Sequence, residues 1–195
     1  MEQVVKAALG AARESLDSFY SNEEAQGHIL KAAECMAAAL SAGKKIISCG
    51  NGGSLCDAAH FAEELTGRFR RDRRPLPAMA INDPAYITCV GNDYSFDEIF
   101  SRYVEGMGQP GDVLLAITTS GKSANVQRAV EMARKAGMHV VALTSERGLP
   151  LLEGADIAIA APDSEYSDRV QEIHIKVIHL LVQLIEIKLN LSQDE

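Results

Sequence analysis

The sequence predicts an α/β fold, a doubly wound parallel sheet of five strands with helices on both faces. Five short apolar runs alternate with amphipathic stretches, and most of the runs lead into Gly, Asn, Asp or Ser. Runs without polar alternation are typical of strands buried on both faces, as in a parallel sheet. Strand–helix alternation implies right-handed crossovers, with ligands bound at the carboxyl ends of the strands. The predicted strands are Lys45–Cys49, Pro77–Ile81, Val113–Thr118, Val140–Thr144 and Ile157–Ala161.

Helices are predicted between the strands and in an amino-terminal extension over residues 1–40. The amphipathic stretches Asp97–Met107 and Ser123–Ala136 fit crossover helices. Within the extension, Met1–Phe19 is one predicted helix and Ser18–Leu40 contains at least one more.

The last predicted helix, Asp168–Leu189, is apolar on more than one side. A helix that is hydrophobic nearly all round is buried on all sides. Because one small sheet covers a single face of such a helix, we expect the chain to pack against copies of itself as a homo-oligomer.

Length and composition predict a single domain over residues 1–195. Of its 195 residues, 47% are hydrophobic and 24% charged, which is enough apolar material for a sizeable core. The 19 basic and 27 acidic residues give a net charge of −8, whereas sequence-independent nucleic-acid binding needs a basic face. No run approaches the roughly 20 apolar residues of a membrane span, and the start of the chain lacks a signal-peptide pattern. We therefore expect a cytoplasmic protein without nucleic-acid or membrane partners.

The four cysteines have irregular spacing and no CxxC pair. Neither a disulfide framework nor a structural zinc module is predicted from such spacing. We expect reduced, mostly buried thiols that behave as small apolar side chains.

The first candidate site is the loop SCGNGGS (residues 48–54), directly after the first predicted strand. Its glycines let the backbone take positive φ and let a ligand approach the amides closely. Ser54 is predicted to cap the amino end of the following helix. A plain β–α turn has the same composition, so this loop alone leaves both interpretations open.

A second loop, TTSGKS (residues 118–123), follows the third predicted strand and precedes a helix. Its hydroxyl and ammonium donors surround one glycine, and amides, hydroxyls and the helix dipole all favour an anion there. The GxxxxGK[ST] pattern of a nucleotide P-loop is absent. Phosphate binding is favoured over a merely hydrophilic capping loop.

The segment DAAHFAEE (residues 57–64) holds the third site. His60 and Glu64 are four positions apart, so on a helix they share one face and can converge on a metal or substrate. By spacing alone, a surface His–Glu pair is the favoured interpretation. The basic cluster at Arg68–Arg74 is interpreted mainly as a solvated face.

The fourth site, QEIHIKVIH (residues 171–179), lies on the apolar carboxyl-terminal helix. A histidine among aliphatic residues is usually a satisfied core residue. Two histidines and a glutamine on a helix predicted to be buried leave a structural and a functional role equally open.

With these sites assembled, the sequence resembles the sugar-isomerase (SIS) family and, within it, the bacterial isomerases of sedoheptulose 7-phosphate. The resemblance runs from about Ile29 to Leu189. It implies a flavodoxin-like SIS domain and a cytoplasmic homotetramer that forms D-glycero-D-manno-heptose 7-phosphate, the entry step of heptose synthesis for lipopolysaccharide or other surface polysaccharide. The blocks that carry it are SCGNGGS (48–54), HFAEELTGR (60–68), VGNDYSF (90–96), TSGKSANV (119–126) and RVQEIHIKVIH (169–179).

The resemblance also implies roles for individual residues. Glu64 corresponds to the catalytic base and His179 to the acid. One zinc ion per subunit corresponds to His60, Glu64, Gln171 and His179. The implied substrate-binding residues are Asn51, Gly52, Gly53, Ser54, Glu64, Arg68, Asn92, Asp93, Thr118, Thr119, Ser120, Ser123, Asp168 and Gln171. Leu55 and Lys122 depart from the family, in which His and Asn are expected.

These residue types suit ketose–aldose isomerisation, in which a carboxylate moves a carbon-bound proton through an enediol while an acid protonates the carbonyl oxygen. Zinc either polarises that carbonyl or holds ligands and hydroxyls in place. Since Glu64 is implied both as a ligand and as the base, the two functions compete for one carboxylate.

Helix geometry adds an inference about assembly. Gln171 and His179 are eight residues apart, a rise of about 12 Å on an unbroken helix. Metal bonds to His nitrogen are only about 2 Å long, so both side chains of one helix barely reach a shared ion. We therefore expect a complete site to draw residues from neighbouring subunits.

Two alternatives remain at this stage. SIS domains also serve as non-enzymatic proteins, one of which associates with the bacterial replication initiator. The presence of Glu64, His60 and His179 together favours an enzyme. An isomerase of another sugar phosphate would share the same sheet and phosphate loop.

Overall fold

The computed structural model describes residues 1–191. Over this range the chain forms seven α-helices, five β-strands and two 3-10 helices, Phe96–Glu98 and Glu146–Leu151. In chain order the helices and strands are α1 (Glu2–Tyr20), α2 (Glu23–Ser41), β1 (Ile46–Gly50), α3 (Gly53–Thr66), β2 (Ala78–Ala80), α4 (Pro84–Asp93), α5 (Ser101–Met107), β3 (Val113–Ile117), α6 (Ala124–Lys135), β4 (His139–Ser145), β5 (Ile157–Ala161) and α7 (Ser167–Lys188).

The five strands form one parallel sheet in the order β2-β1-β3-β4-β5. The order reverses between β1 and β3, whose last residues, Gly50 and Ile117, are register partners. In open α/β sheets, ligands bind in the crevice beyond the carboxyl ends of the strands at such a reversal. The topology therefore predicts a ligand site at the loops that follow β1 and β3.

Successive strand residues face opposite layers, and each layer has its own apolar core. In β3, Leu115 and Ile117 pack with α2, α3 and α7, whereas Leu114 and Ala116 pack with α4, α5 and α6. All five β3 residues are buried. Burial on both faces explains why the strands show no polar alternation.

Side-chain caps fix where two helices begin. The Asn22 side chain accepts a hydrogen bond from the Ala25 amide at the start of α2, and Asp83 accepts one from the Tyr86 amide at the start of α4. Pro84 occupies the first turn of α4, where no intrahelical amide donor is needed. The cap at Asn22 also separates α2 from α1, so the extension is a pair of helices.

The predicted fold class is confirmed, and each predicted strand end lies within one residue of the observed one. The continuous helix expected over Asp97–Met107 is wrong. That segment begins in a 3-10 turn, and α5 starts at Ser101, whose hydroxyl lies 2.7 Å from the Glu98 carboxylate and 3.2 Å from the Glu98 carbonyl oxygen. A serine hydroxyl that bonds to nearby backbone competes with continuous helix formation.

The carboxyl-terminal helix α7 is buried along most of its length, through residues such as Val177, Leu181 and Ile185. Leu180 and Ile187 remain 37% and 42% exposed. The sheet layer therefore leaves part of the apolar surface of α7 uncovered, as expected for a helix hydrophobic on more than one side.

The cysteines differ from expectation. All four are free, but Cys49 is the one buried thiol, Cys35 is half-buried, and Cys56 and Cys89 are exposed on α3 and α4. The expectation of mostly buried thiols is wrong because these two helix positions face solvent. Burial raises the pKa of the Cys49 thiol to about 12. In the described part of the chain, we find no helix that combines the length and apolar character needed to cross a membrane.

Candidate active site

A cleft of about 310 Å³ opens at the carboxyl ends of β1 and β3. It lies where the strand order reverses, and the start of α7 closes one side. Glycines, hydroxyls and amides dominate its surface, a composition suited to a small polar ligand. The lining residues are Asn51, Gly52, Gly53, Ser54, Ile117, Thr118, Thr119, Ser123, Ser167 and Gln171.

Gly53 lets α7 approach the first turn of α3. A Cβ atom at this position would lie 2.6 Å from Nε2 of Gln171, well inside contact distance. The absence of a side chain at Gly53 therefore places the Gln171 amide directly against the loop that follows β1.

The start of α3 differs from expectation, because Ser54 does not cap the helix. The helix begins at Gly53, with Gly52 in the cap position at φ 55°, a left-handed conformation that glycine takes at little cost. Ser54 lies inside the first turn and is buried. Ser54 is nevertheless one of the residues that line the cleft.

The loop after β3 presents hydroxyls at the start of α6. Oγ1 of Thr118 lies 3.4 Å from Oγ of Ser123, the residue in the cap position of α6. Ser120 accepts a hydrogen bond from the Lys122 amide and faces the outer side of the loop, where it lines a second cavity together with Thr119 and Lys122. Hydroxyls at the amino end of a twelve-residue helix favour an anion.

A second cluster joins α3 to α7. The ligand atoms of His60, Glu64 and His179 all lie within 4.8 Å of one another. Nε2 of His60 lies 3.1 Å from Oε1 of Glu64, and the His60 and His179 rings meet edge to face with centroids 5.3 Å apart. The Phe69 ring covers His179 on another side, with centroids 5.8 Å apart. Two imidazoles and a carboxylate from distant parts of the chain thus converge.

Comparison with known proteins identifies the family. The SIS domain family model matches residues 9–145. The phosphoheptose isomerase of Enterobacter sp. (strain 638) is 55% identical over 185 residues, which cover 95% of this chain and 96% of the relative. This chain belongs to the phosphoheptose isomerases of the SIS domain family.

Solved structures of phosphoheptose isomerases agree with this assignment. The structure from Neisseria gonorrhoeae has a TM-score of 0.87 and 37% identity, and covers 95% of this chain and 98% of its own. That from Francisella tularensis has a TM-score of 0.88 and 34% identity, with coverage of 95% and 97%. The resemblance to the SIS family and the α/β fold that it implies are therefore confirmed.

In this member of the phosphoheptose isomerases, burial shifts the pKa values of ionisable groups in and next to the His60–Glu64–His179 cluster. Desolvation, reinforced by the charge of His60, lowers the pKa of His179. One turn before His60, burial raises the pKa of Asp57 to about 6, an effect that the His60 charge opposes. Oδ2 of Asp57 is buried and has no hydrogen-bond partner in the described structure. Because the neutral imidazole is the form that ligates a metal, the lowered pKa of His179 favours metal binding at that residue.

Gln171 lies apart from this cluster within one chain. Its amide contacts Gly53, whereas His60 lies seven residues further along α3, a rise of about 10 Å. The four residues implied as zinc ligands therefore divide into a group of three, His60, Glu64 and His179, and a separate Gln171 in the cleft.

Four other residues implied by the resemblance lie outside both groups. Arg68 is exposed just after α3. Asn92 and Asp93 are exposed at the end of α4, where the Asn92 amide donates to Oδ1 of Asp93 at 2.8 Å. Asp168 is exposed in the first turn of α7, and a hydrogen bond from the Arg169 side chain lowers its pKa.

Sequence reasoning missed Asn125 and Arg73. Asn125 is 2% exposed and its side-chain amide pairs with that of Asn51. The sequence could have indicated it, because Asn125 is a polar residue on the apolar face of the predicted helix Ser123–Ala136. The Arg73 side chain is 3% exposed, so the interpretation of Arg68–Arg74 as a solvated face is wrong at this position. Its partner, Glu186, is more than a hundred residues away and gives no local signal.

Proposed function

We propose that this chain converts sedoheptulose 7-phosphate into D-glycero-D-manno-heptose 7-phosphate, which supplies heptose for surface polysaccharide. The observation that carries the proposal is the convergence of His60, Glu64 and His179 within 4.8 Å, which combines a carboxylate base with imidazole acids. The hydroxyl-rich cleft at the start of the same helix α3 suits the substrate's phosphate. The phosphoheptose isomerases that resemble this chain support the choice of substrate.

Glu64 carries the proton between the two carbons in this mechanism. Its carboxylate removes a proton from C1 of the ketose, and the electron pair of that bond forms the C1–C2 double bond. His179 donates a proton to the oxygen on C2, which completes the enediol. Glu64 then delivers its proton to C2, and the hydroxyl on C1 returns one to His179 as the carbonyl forms at C1. Both residues regain their starting protonation states.

We also propose that His60, Glu64 and His179 hold a zinc ion. Two imidazoles and one carboxylate are a ligand set that zinc takes in catalytic sites with an open coordination position. The mutual distances of their ligand atoms support the fit. A bound zinc ion would supply a Lewis acid that polarises a substrate oxygen. Glu64 has two carboxylate oxygens, of which Oε1 faces His60, and His179 has two ring nitrogens. Ligation and proton transfer can therefore use different atoms of each residue.

The active oligomer in this proposal is a homotetramer whose sites include residues from neighbouring subunits. The separation of Gln171 from His60 along α3 supports this, because a shared ion would need the Gln171 of another chain. Exposed apolar side chains on α1, among them Val5 and Leu9, supply surface for self-association. A groove lined by Leu16, Ile29, Leu180 and other side chains of α1, α2 and α7 continues that surface.

We place the reaction in the cytoplasm. Cys56 and Cys89 are exposed and free, and cytoplasmic conditions keep such thiols reduced.

Incubation with sedoheptulose 7-phosphate, followed by NMR, tests the activity. We expect the aldose to form, and ²H from solvent to enter C2. The Glu64→Gln variant should lower kcat by roughly 10²–10⁴-fold, the usual contribution of a positioned base. Glu63→Gln is the matched control, because Glu63 is the adjacent acid and its side chain is 67% exposed.

Retained turnover in Glu64→Gln would remove Glu64 as the base. No turnover of the wild-type protein, with or without added Zn²⁺, would favour a sugar-phosphate-binding protein, and turnover of a different ketose phosphate alone would change the substrate. Dilution until the protein is monomeric should abolish activity, and a fully active monomer would overturn the shared site.

A further inference from the structure

We propose that Arg73 and Glu186 are positioning residues that set the spacing between α3 and α7, and hence between Glu64 and His179. This inference rests on the proposed function, because it assigns a purpose to the His60–Glu64–His179 cluster. The two side chains form an ion pair in which Nε of Arg73 donates to Oε1 of Glu186 at 2.8 Å. Their side chains are 3% and 7% exposed, so the pair is shielded from solvent.

Arg73 is also bonded to the end of the helix that carries the proposed base. Its Nη2 donates to the carbonyl oxygen of Glu64 itself at 2.6 Å, and Nη1 donates to that of Leu65 at 2.8 Å. Nη1 also lies 3.1 Å from the Gly67 carbonyl oxygen. The last carbonyls of a helix lack intrahelical partners and carry partial negative charge, so a guanidinium group is a favourable cap.

Glu186 connects this cap to the other half of the cluster. It follows His179 by seven residues on α7, which is nearly two full helical turns, so the two side chains fall on one side of the helix. Arg73 thus bonds at the same time to the backbone of Glu64 and to the face of α7 that carries His179.

The hydrogen bonds of Arg73 are suited to fix the spacing between α3 and α7, because they are directional. Packing between apolar faces of α3 and α7 is non-directional and tolerates small displacements. Hydrogen bonds to a rigid planar guanidinium tolerate much less, because their strength depends on distance and angle. A displacement of α3 along α7 would break these bonds before the apolar contacts were lost.

Replacement of Arg73 by Lys tests the proposal, since Lys retains the charge but cannot make the same fork of bonds. We expect kcat to fall at least about 10-fold while KM stays within about twofold, because the cleft at the start of α3 is unchanged. Substitution of a residue that supports a metal ligand typically lowers metal affinity by roughly 10–100-fold. The Zn²⁺ affinity of the metal-free protein, measured by competition with a chromophoric chelator, should therefore also fall at least about 10-fold. The visible absorption of the Co²⁺-loaded protein should change as well.

Two variants at Glu186 provide an independent comparison. Glu186→Gln keeps an oxygen that accepts from Arg73, whereas Glu186→Leu does not. We expect kcat and the Co²⁺ spectrum of Glu186→Gln to stay closer to wild type than those of Glu186→Leu. If Arg73→Lys fails to fold, this pair decides the question.

Lys45→Gln is the matched control for loss of an ion pair. Nζ of Lys45 lies 2.5 Å from Oδ2 of Asp112, which is 1% exposed, between the beginnings of β1 and β3. We expect Lys45→Gln to lower Tm without changing kcat, Zn²⁺ affinity or the Co²⁺ spectrum.

A folded Arg73→Lys protein with wild-type kcat and Co²⁺ spectrum would overturn the positioning role and leave the proposed function standing. So would equal spectra and kcat in the two Glu186 variants. A wild-type protein without isomerase activity would overturn both the proposed function and this inference.

Discussion

The side-chain amides of Asn51 and Asn125 exchange two hydrogen bonds of 2.9 Å across the point where the strand order reverses. Asn51 belongs to the loop after β1, and Asn125 lies in the first turn of α6, directly after the hydroxyl loop of β3. The pair therefore joins the two loops that form the cleft. Because each amide satisfies the donor and acceptor of the other, neither loop can move away without leaving polar groups unpaired.

Asn125→Ala should raise KM by about 5–20-fold and change kcat less. The substitution removes both hydrogen bonds that hold the loop after β1 to the start of α6, so the cleft between the two loops is less well ordered. The unpaired Asn51 amide should also cost about 1–3 kcal/mol of stability. Steady-state kinetics and chemical denaturation measure these effects. Asn22→Ala is the control, since it removes the α2 cap at a cost of about 1 kcal/mol with no expected change in KM. Equal KM values in the two variants would contradict the role assigned to the amide pair.

Gly53→Ala should displace Gln171, since the new methyl group would lie 2.6 Å from its Nε2 atom. We expect KM to rise about 10-fold and Tm to fall. Gly27→Ala is the control, because Gly27 is inside α2 with nothing within 4 Å of the added carbon, and alanine there should stabilise by about 0.5–1 kcal/mol. The Gly53→Ala/Gln171→Ala double variant should have a higher Tm than Gly53→Ala alone. A lower Tm would argue against the clash.

The buried imidazole of His174 should make stability fall as the solution becomes acidic. Its Nε2 lies 3.0 Å from the Thr144 carbonyl oxygen, and burial lowers its pKa from 6.5 to about 4. Between these values the unfolded chain binds a proton that the folded chain does not, so unfolding becomes easier as pH falls from about 6.5 to about 4. The loss should approach about 3 kcal/mol.

His174→Gln should show a shallower decline when urea denaturation is compared at pH 7.5, 6 and 5 with a chelator present. The raised pKa of Asp57 acts in the opposite direction between about 3.8 and 6, but it is common to both proteins and cancels in the comparison. His139→Gln, at an exposed position, should follow the wild type. Parallel curves for wild type and His174→Gln would rule out this source of acid sensitivity.

Zinc should stabilise the folded chain, because a ligand that binds only the native state shifts the folding equilibrium. At a free concentration about 100 times Kd, the gain is about 2.7 kcal/mol, or roughly 5–10 °C in Tm for a chain of this size. His60→Gln should abolish most of the shift, and a chelator should reverse it in the wild type. His139→Gln serves again as the control, and an equal shift in both variants would place the ion elsewhere.

The sequence predicted the features that depend on residues close together in the chain. The apolar runs Val113–Thr118 and Ile157–Ala161 predicted strands to within one residue, because burial on both faces removes polar residues from such segments. Pairing of His60 with Glu64 also followed from helical spacing. The approach of His179 to these two residues depends on how α3 packs against α7, so the family resemblance indicated it while periodicity did not.

Features that depend on distant contacts were not predicted. The charge of Arg73 suggested solvent, and only the fold brings Glu186 to it. The helix α4 was not predicted either, although Asp83 and Pro84 are typical of a helix start, because its short sequence contains β-branched residues and a glycine.

All five strands begin at the rim where Lys45 pairs with Asp112 and run toward the rim that holds the cleft. A five-residue strand spans roughly 16 Å, so the two rims are well separated. Gln109 is exposed beside the beginning of β3. A fluorophore or a tether to a solid support, attached there through Gln109→Cys after Ser replaces the exposed Cys56 and Cys89, would leave the cleft unobstructed.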